Sequence, residues 1–116
     1  MISLARAIIR EVTATHGDVR DALRIDPVLL RSAELRPFEE VEIVNLATGA
    51  RLRTWVEEAA EASGEVHAPG ARTGDRITIV AYTLLHEGQT LAHKVKLVSV
   101  DGANRVVAIT ESAQSR

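Results

Sequence analysis

The chain has 116 residues and 12.6 kDa, enough for one domain, and its 46% hydrophobic and 26% charged residues are those of a folded protein. A net charge of −2 excludes nucleic acid as a partner selected by bulk charge, and the absence of cysteine excludes disulfides, thiolate metal sites and thiol nucleophiles. No apolar run approaches the ~20 residues that cross a bilayer. The first ten residues carry Arg6 and no small-residue cleavage site, so no signal peptide is expected and the expected compartment is the cytoplasm.

Phe38, Trp55 and Tyr82 are the only aromatic residues, so the core must be built from Val, Ile, Leu and Ala. A small aliphatic core favours a partner subunit. The basic residues are arginines except for Lys94 and Lys96, which leaves almost nothing to serve as a Schiff-base lysine.

In chain order, Ala7 to Thr15 reads as a strand rich in apolar and β-branched residues, and Leu23–Ile25 as a short alternating one. Asp26-Pro27 is a helix start: aspartate caps, and proline takes the first position, where its missing N–H costs nothing. The helix is expected to run to Leu35 and stop before Pro37. Val41 to Val56, alternating on both sides of Thr48-Gly49, predicts a hairpin. Glu57–Ser63 has no apolar stripe and reads as a polar turn. Arg76–Tyr82 is the strongest strand, and Lys94–Val100 with Arg105–Thr110 predicts a second hairpin around Asp101-Gly102. Short strands at regular spacing with one capped helix point to a small β-barrel, a single domain over residues 1–116 with residues 111–116 as a loose tail.

The run Ile25 to Trp55 resembles the central block of bacterial aspartate 1-decarboxylases. Ile25-Asp26, a helix ending Ala33-Glu34-Leu35, the strand Glu39 to Val44 and the turn Gly49-Ala50-Arg51-Leu52-Arg53-Thr54 occur in that family's order and at nearly its spacing. Thr15 to Val19 and Gly74-Asp75 before the Ile77–Tyr82 strand extend the resemblance over roughly residues 8 to 85. The resemblance implies a double-psi β-barrel and a homotetramer with active sites between neighbouring subunits.

The departures from the family are as informative as the match. Members of the family cut themselves at a Gly-Ser bond just before the Ile-Asp, and the serine becomes a pyruvoyl group. Here that stretch is Arg20-Asp21-Ala22-Leu23-Arg24, with no hydroxyl or thiol to start the cleavage. Ile8 and Arg10 stand where the family has lysine and histidine, Trp55 stands for its tyrosine proton donor, and His67 for its asparagine. Arg51 occupies the carboxylate-binding position, where a guanidinium fork suits bidentate recognition, with Thr54 beside it. Ala68-Pro69-Gly70 lies where backbone groups contact substrate.

By alternation alone Arg51 is a solvated turn arginine; the resemblance makes it a carboxylate ligand, with Thr54, Trp55, Ala68 and Gly70 as further substrate contacts. Trp55 reads either as an apolar strand residue or as a ring lining the pocket. His67 reads either as an exposed loop histidine or as the acid–base group, since imidazole titrates near neutrality; Arg10 is its expected catalytic companion. His16 is expected to be a turn residue bonding Asp18, and His86 and His93 to be solvated. No His-x-His or His-x-x-x-His spacing occurs, so no metal is expected, and no cofactor. Gly64, Gly70 and Gly74 do not form a phosphate loop, and the serines lack a triad context. The expected function is therefore a pyruvoyl-free lyase or cyclase acting on a small, activated carboxylic acid, with specialised metabolism as a natural setting. The alternatives are a non-catalytic paralogue that binds a carboxylate metabolite or regulates a true decarboxylase, and aspartate 1-decarboxylase itself. Neither nucleic acid nor membrane is an expected partner.

Overall fold

The computed structural model describes residues 1–18 and 20–113. Nine strands make up most of it: β1 (Ile2–Thr13), β2 (His16–Asp18), β3 (Leu23–Ile25), β4 (Glu40–Asn45), β5 (Arg51–Glu58), β6 (Val66–Pro69), β7 (Arg76–Leu85), β8 (Lys94–Val100) and β9 (Val106–Ala113). A short helix, α1 (Pro27–Ser32), follows β3, and a 3-10 helix (Glu87–Ala92) precedes β8. The strand order is β2-β6-β3-β5-β4-β7-β1-β8-β9. Pairing is mixed: β1 runs parallel to β8, β2 to β6 and β3 to β5, and the other neighbours are antiparallel.

Alternation sets the faces. In β7, Ile77, Ile79 and Ala81 are buried; across the ladder they meet Ile9, Val12, Ile43 and Val41 in one aliphatic core with Leu23, Ile25, Val56, Val66 and Val98. Each such side chain contributes roughly 1.5–3 kcal/mol of apolar burial. The mainly β architecture, both hairpins and the capped helix agree with the sequence reading.

Several boundaries differ, for physical reasons. β1 starts at Ile2 because Ile2 to Ala5 pair with Leu85 to Tyr82. A bulge between Ile9 and Val12 leaves Glu11 at φ 54. The helix ends before Leu35 because Glu34 turns left-handed, at φ 58. Leu35 N–H then reaches back to Leu30 O (2.8 Å) and Glu34 N–H to Arg31 O (3.1 Å). At the other end, Asp26 caps α1 as expected, accepting from Val28 N–H at 3.0 Å. It is fully buried and also accepts from Ala62 N–H and Gly64 N–H, both at 2.9 Å, so one carboxylate fixes both α1 and the turn after β5. Glu57 and Glu58 extend β5 and only the residues after them turn. Of the tail expected over residues 111–116, Glu111 to Ala113 are strand and pair with Lys96 to Lys94, and 114–116 lie outside the described residues.

His67, Ala68 and Pro69 are strand, not loop. The segment is too short to show alternation, and its pairing comes from β2 on one side and β3 on the other. β2 approaches the chain after β6 so closely that a Cβ on Gly17 would lie 2.5 Å from Ala71 O. Only glycine fits there without movement.

Candidate functional site

The β4–β5 hairpin splits the expected substrate contacts between its two faces. Thr54 is buried, facing inward, and its hydroxyl donates to the Asp21 carbonyl. Arg51, Arg53 and Trp55 face outward. Arg51 donates to Glu42 at 3.2 Å, and Tyr82 hydroxyl donates to the same Glu42 oxygen at 2.9 Å. Burial, the bond to Glu42 and the nearby negative charge raise the Tyr82 phenol above its ordinary value. Arg51, Leu52, Pro69, Gly70 and Ala71 line a recess of about 240 Å³, so two of the expected contacts, Arg51 and Gly70, do share a pocket. Thr54 and Trp55 border a different groove of about 520 Å³, with Phe38, Glu40 and Arg53. Trp55 is half-exposed, and its indole N–H donates to Glu57 at 2.8 Å.

On the short strands, register assembles a group that local spacing did not reveal. His16 pairs with His67, His67 with Arg24, and Arg24 with Glu57, across β2, β6, β3 and β5. Directly paired residues share a face. Because Val66, Ala68, Leu23, Ile25 and Val56 turn inward, these four turn outward as one polar row. The His16 and His67 rings stack at 4.1 Å, 2° from parallel. His67 Nε2 lies 3.1 Å from Glu65 Oε1, two residues back on the same face. The bond to His67, then that from Ser63, hold the Glu65 carboxyl below its usual range. His16 lies in strand β2 and not in the turn expected, and its Nδ1 is 2.8 Å from Thr15 Oγ1.

The other expected residues are dispersed. The Ala68 side chain is buried in the core, so the contact expected of it falls to its backbone in β6. Arg10 lies in a separate polar cleft of about 530 Å³ beside β8, with Glu11, Arg76, Ser99 and Asp101. His93 is half-buried, its Nε2 2.6 Å from Ala5 O, whereas His86 is exposed as expected. Arg24 and Glu57 were missed as site residues because their neighbours come from distant parts of the chain, and Glu65, two residues before His67, because a segment read as loop has no defined face.

The family model for aspartate decarboxylase matches residues 1–107. An aspartate 1-decarboxylase of Dehalococcoides mccartyi is 36% identical over 120 residues, covering 97% of each chain. One from Bordetella pertussis is 37% identical over 113 residues, covering 91% of this chain and 93% of its own. The chain belongs to the aspartate decarboxylase family, in agreement with the double-psi β-barrel that the sequence resemblance implied. Among solved structures, the computationally designed protein msDPBB_sym2 is similar at 18% identity and a TM-score of 0.46, over 69% of this chain and 99% of its own. Among the described residues no helix is long and apolar enough to cross a membrane.

Proposed function

We propose that this protein is a lyase of the aspartate decarboxylase family that works without a pyruvoyl group on a small carboxylic acid carrying its own electron sink. One observation carries the reading. In Arg20 to Arg24, against which Thr54 rests, no serine, threonine or cysteine exists from which a pyruvoyl group could be made. Leu23, the fourth residue of that stretch, is fully buried and already part of β3. The residues present do not fit the family's prosthetic group.

In a β-keto acid the substrate's own carbonyl accepts the electron pair. The bond to the carboxyl carbon breaks, carbon dioxide leaves, the pair moves into an enolate, and a proton returns to carbon. His67, held between Glu65 and His16, is the group assigned to that proton. Arg51 is assigned to a carboxylate at the mouth of the Gly70 recess, exchanging its bond with Glu42 for one with substrate. Arg10 enters only through the homotetramer that the resemblance implies, in which neighbouring subunits share sites. Elimination or cyclisation of an activated acid uses the same groups. The names of the relatives favour a second reading, decarboxylation of aspartate itself.

Intact mass under denaturing conditions tests the reading. A single species near 12.6 kDa is expected, with carbon dioxide released from cofactor-free β-keto acids and turnover lowered about 10²–10⁴-fold in His67→Ala. Two fragments split near residues 20–24, or unchanged turnover in His67→Ala, would overturn it, the former in favour of aspartate.

A further inference from the structure

We infer that His16, Glu65 and His67 form a binding site for a divalent transition metal, of the zinc, cobalt and nickel type. The inference stands apart from the proposed reaction, since a metal can bind here whether or not the chain is a lyase. Each of the three residues offers one ligand atom, and the three atoms lie within 4.8 Å of one another. Two imidazoles and one carboxylate are a donor set that such ions accept with a position left for water or a ligand oxygen.

The backbone already supplies most of the arrangement. His16 and His67 are direct partners in the parallel β2–β6 ladder, which puts their Cα atoms about 4.8 Å apart. Glu65 shares the outward face of His67 because it lies two residues earlier. Ligand–metal bonds of about 2.0–2.2 Å need donors some 3–3.5 Å apart. The rings, now parallel, must each turn about the Cβ–Cγ bond for their lone pairs to converge. His16 is exposed and free to turn, whereas the His67 side chain is only 16% exposed, so most of the movement falls to His16.

The hydroxyl of Thr15 prepares His16 for this role. It has one proton and two lone pairs. One lone pair accepts Val66 N–H at 2.8 Å. With the proton on Val66 O, 3.1 Å away, the remaining lone pair accepts a hydrogen from His16 Nδ1 at 2.8 Å. In the neutral ring Nε2 is then bare, the form a metal takes. Metal-ligating histidines characteristically hold their second nitrogen in this way. His67 offers Nε2 to the ion in place of its bond to Glu65, the ring's single proton then lying on Nδ1. A His67 nitrogen that holds a metal cannot carry a proton, so the ion would also inhibit acid–base turnover.

The test uses the full-length chain without a histidine tag, titrated with Co²⁺ and followed by visible absorption and calorimetry. One Co²⁺ per chain is expected, with the intense d–d bands of low coordination number, displaced by Zn²⁺. His16→Ala and Glu65→Gln should each weaken binding at least about tenfold with unchanged circular dichroism, and Thr15→Val by about tenfold through the lost support. His86→Ala should leave affinity unchanged. Absence of saturable binding, affinity indifferent to both His16→Ala and Glu65→Gln, or equal loss in His86→Ala would each overturn the site. All these readouts are independent of turnover, so a failed lyase assay does not imitate a failed metal site.

Discussion

The barrel has two unlike sides. On one, β1 and β7 pair from Ile2 to Thr13 against Leu85 to Arg76, and β4 and β8 flank them. On the other, β2, β3 and β6 contain three or four residues each. Too short to be secured by their ladders, they are fastened by side chains. Thr15 brackets Val66; Asp26 holds α1 and Gly64; Asn104, itself buried, bonds both polar groups of the Thr13 backbone and Gly64 O at 2.8 Å. Long ladders supply apolar burial and tolerate little beside it. Short strands pinned by side chains leave their outward faces free for chemistry, and the polar row is found there.

The sharpest way to break this contrast is to cut the core on the long side. Ile79→Ala should cost about 4 kcal/mol in urea denaturation, because a fully buried side chain leaves a cavity. On the short side, Asp26→Ala should cost about 3 kcal/mol, since it leaves buried backbone N–H groups without acceptors. Gly17→Ala should cost about 1–2 kcal/mol, the Cβ forcing β2 away from Ala71; the same melts check it, and a cost near zero would mean that β2 is loosely held. His67→Ala should change stability by less than about 1 kcal/mol while removing activity, which separates the polar row from the pins. The smallest effect expected is with pH. Asp75, held low by Arg72 N–H and then by the Asn45 amide, and Asp101, held low by the N–H groups of Arg105 and Ala103, have carboxyls depressed by folding. Their contribution is present above the ordinary carboxylate value and is lost as pH falls below about 4. Urea melts at pH 7 and pH 3 should show the loss, and Asp101→Asn should reduce it.

What could be read in the sequence was what is local. Alternation located both hairpins, and Asp26-Pro27 located the helix start, because cap and proline act within a few residues. The helix end was misjudged because Glu34, a good helix former, adopts a left-handed turn that the burial of Leu35 against Leu30 rewards. β6 reads as a loop in the sequence because a four-residue strand ending in proline carries no period. The polar row was illegible for a deeper reason: His16 and His67 are 51 residues apart, and only the parallel register of two short strands joins them. Resemblance indicated Arg51, Thr54 and Trp55, but not that Thr54 would face inward and Trp55 outward; with Thr54 and Val56 buried, the alternation of β5 from Arg53 to Val56 dictates that once its register is set.

The buried amide of Asn104 ties the turn between β8 and β9 to Thr13, 91 residues earlier. Such a link closes a loop of 91 residues, and contacts of that span slow folding. A ribosome-bound chain therefore cannot complete the short-stranded side until residue 104 has cleared the exit tunnel. Until then the Thr13 backbone and Gly64 O lack the amide that joins them, and the segments of the short-stranded side are held by one fastening fewer.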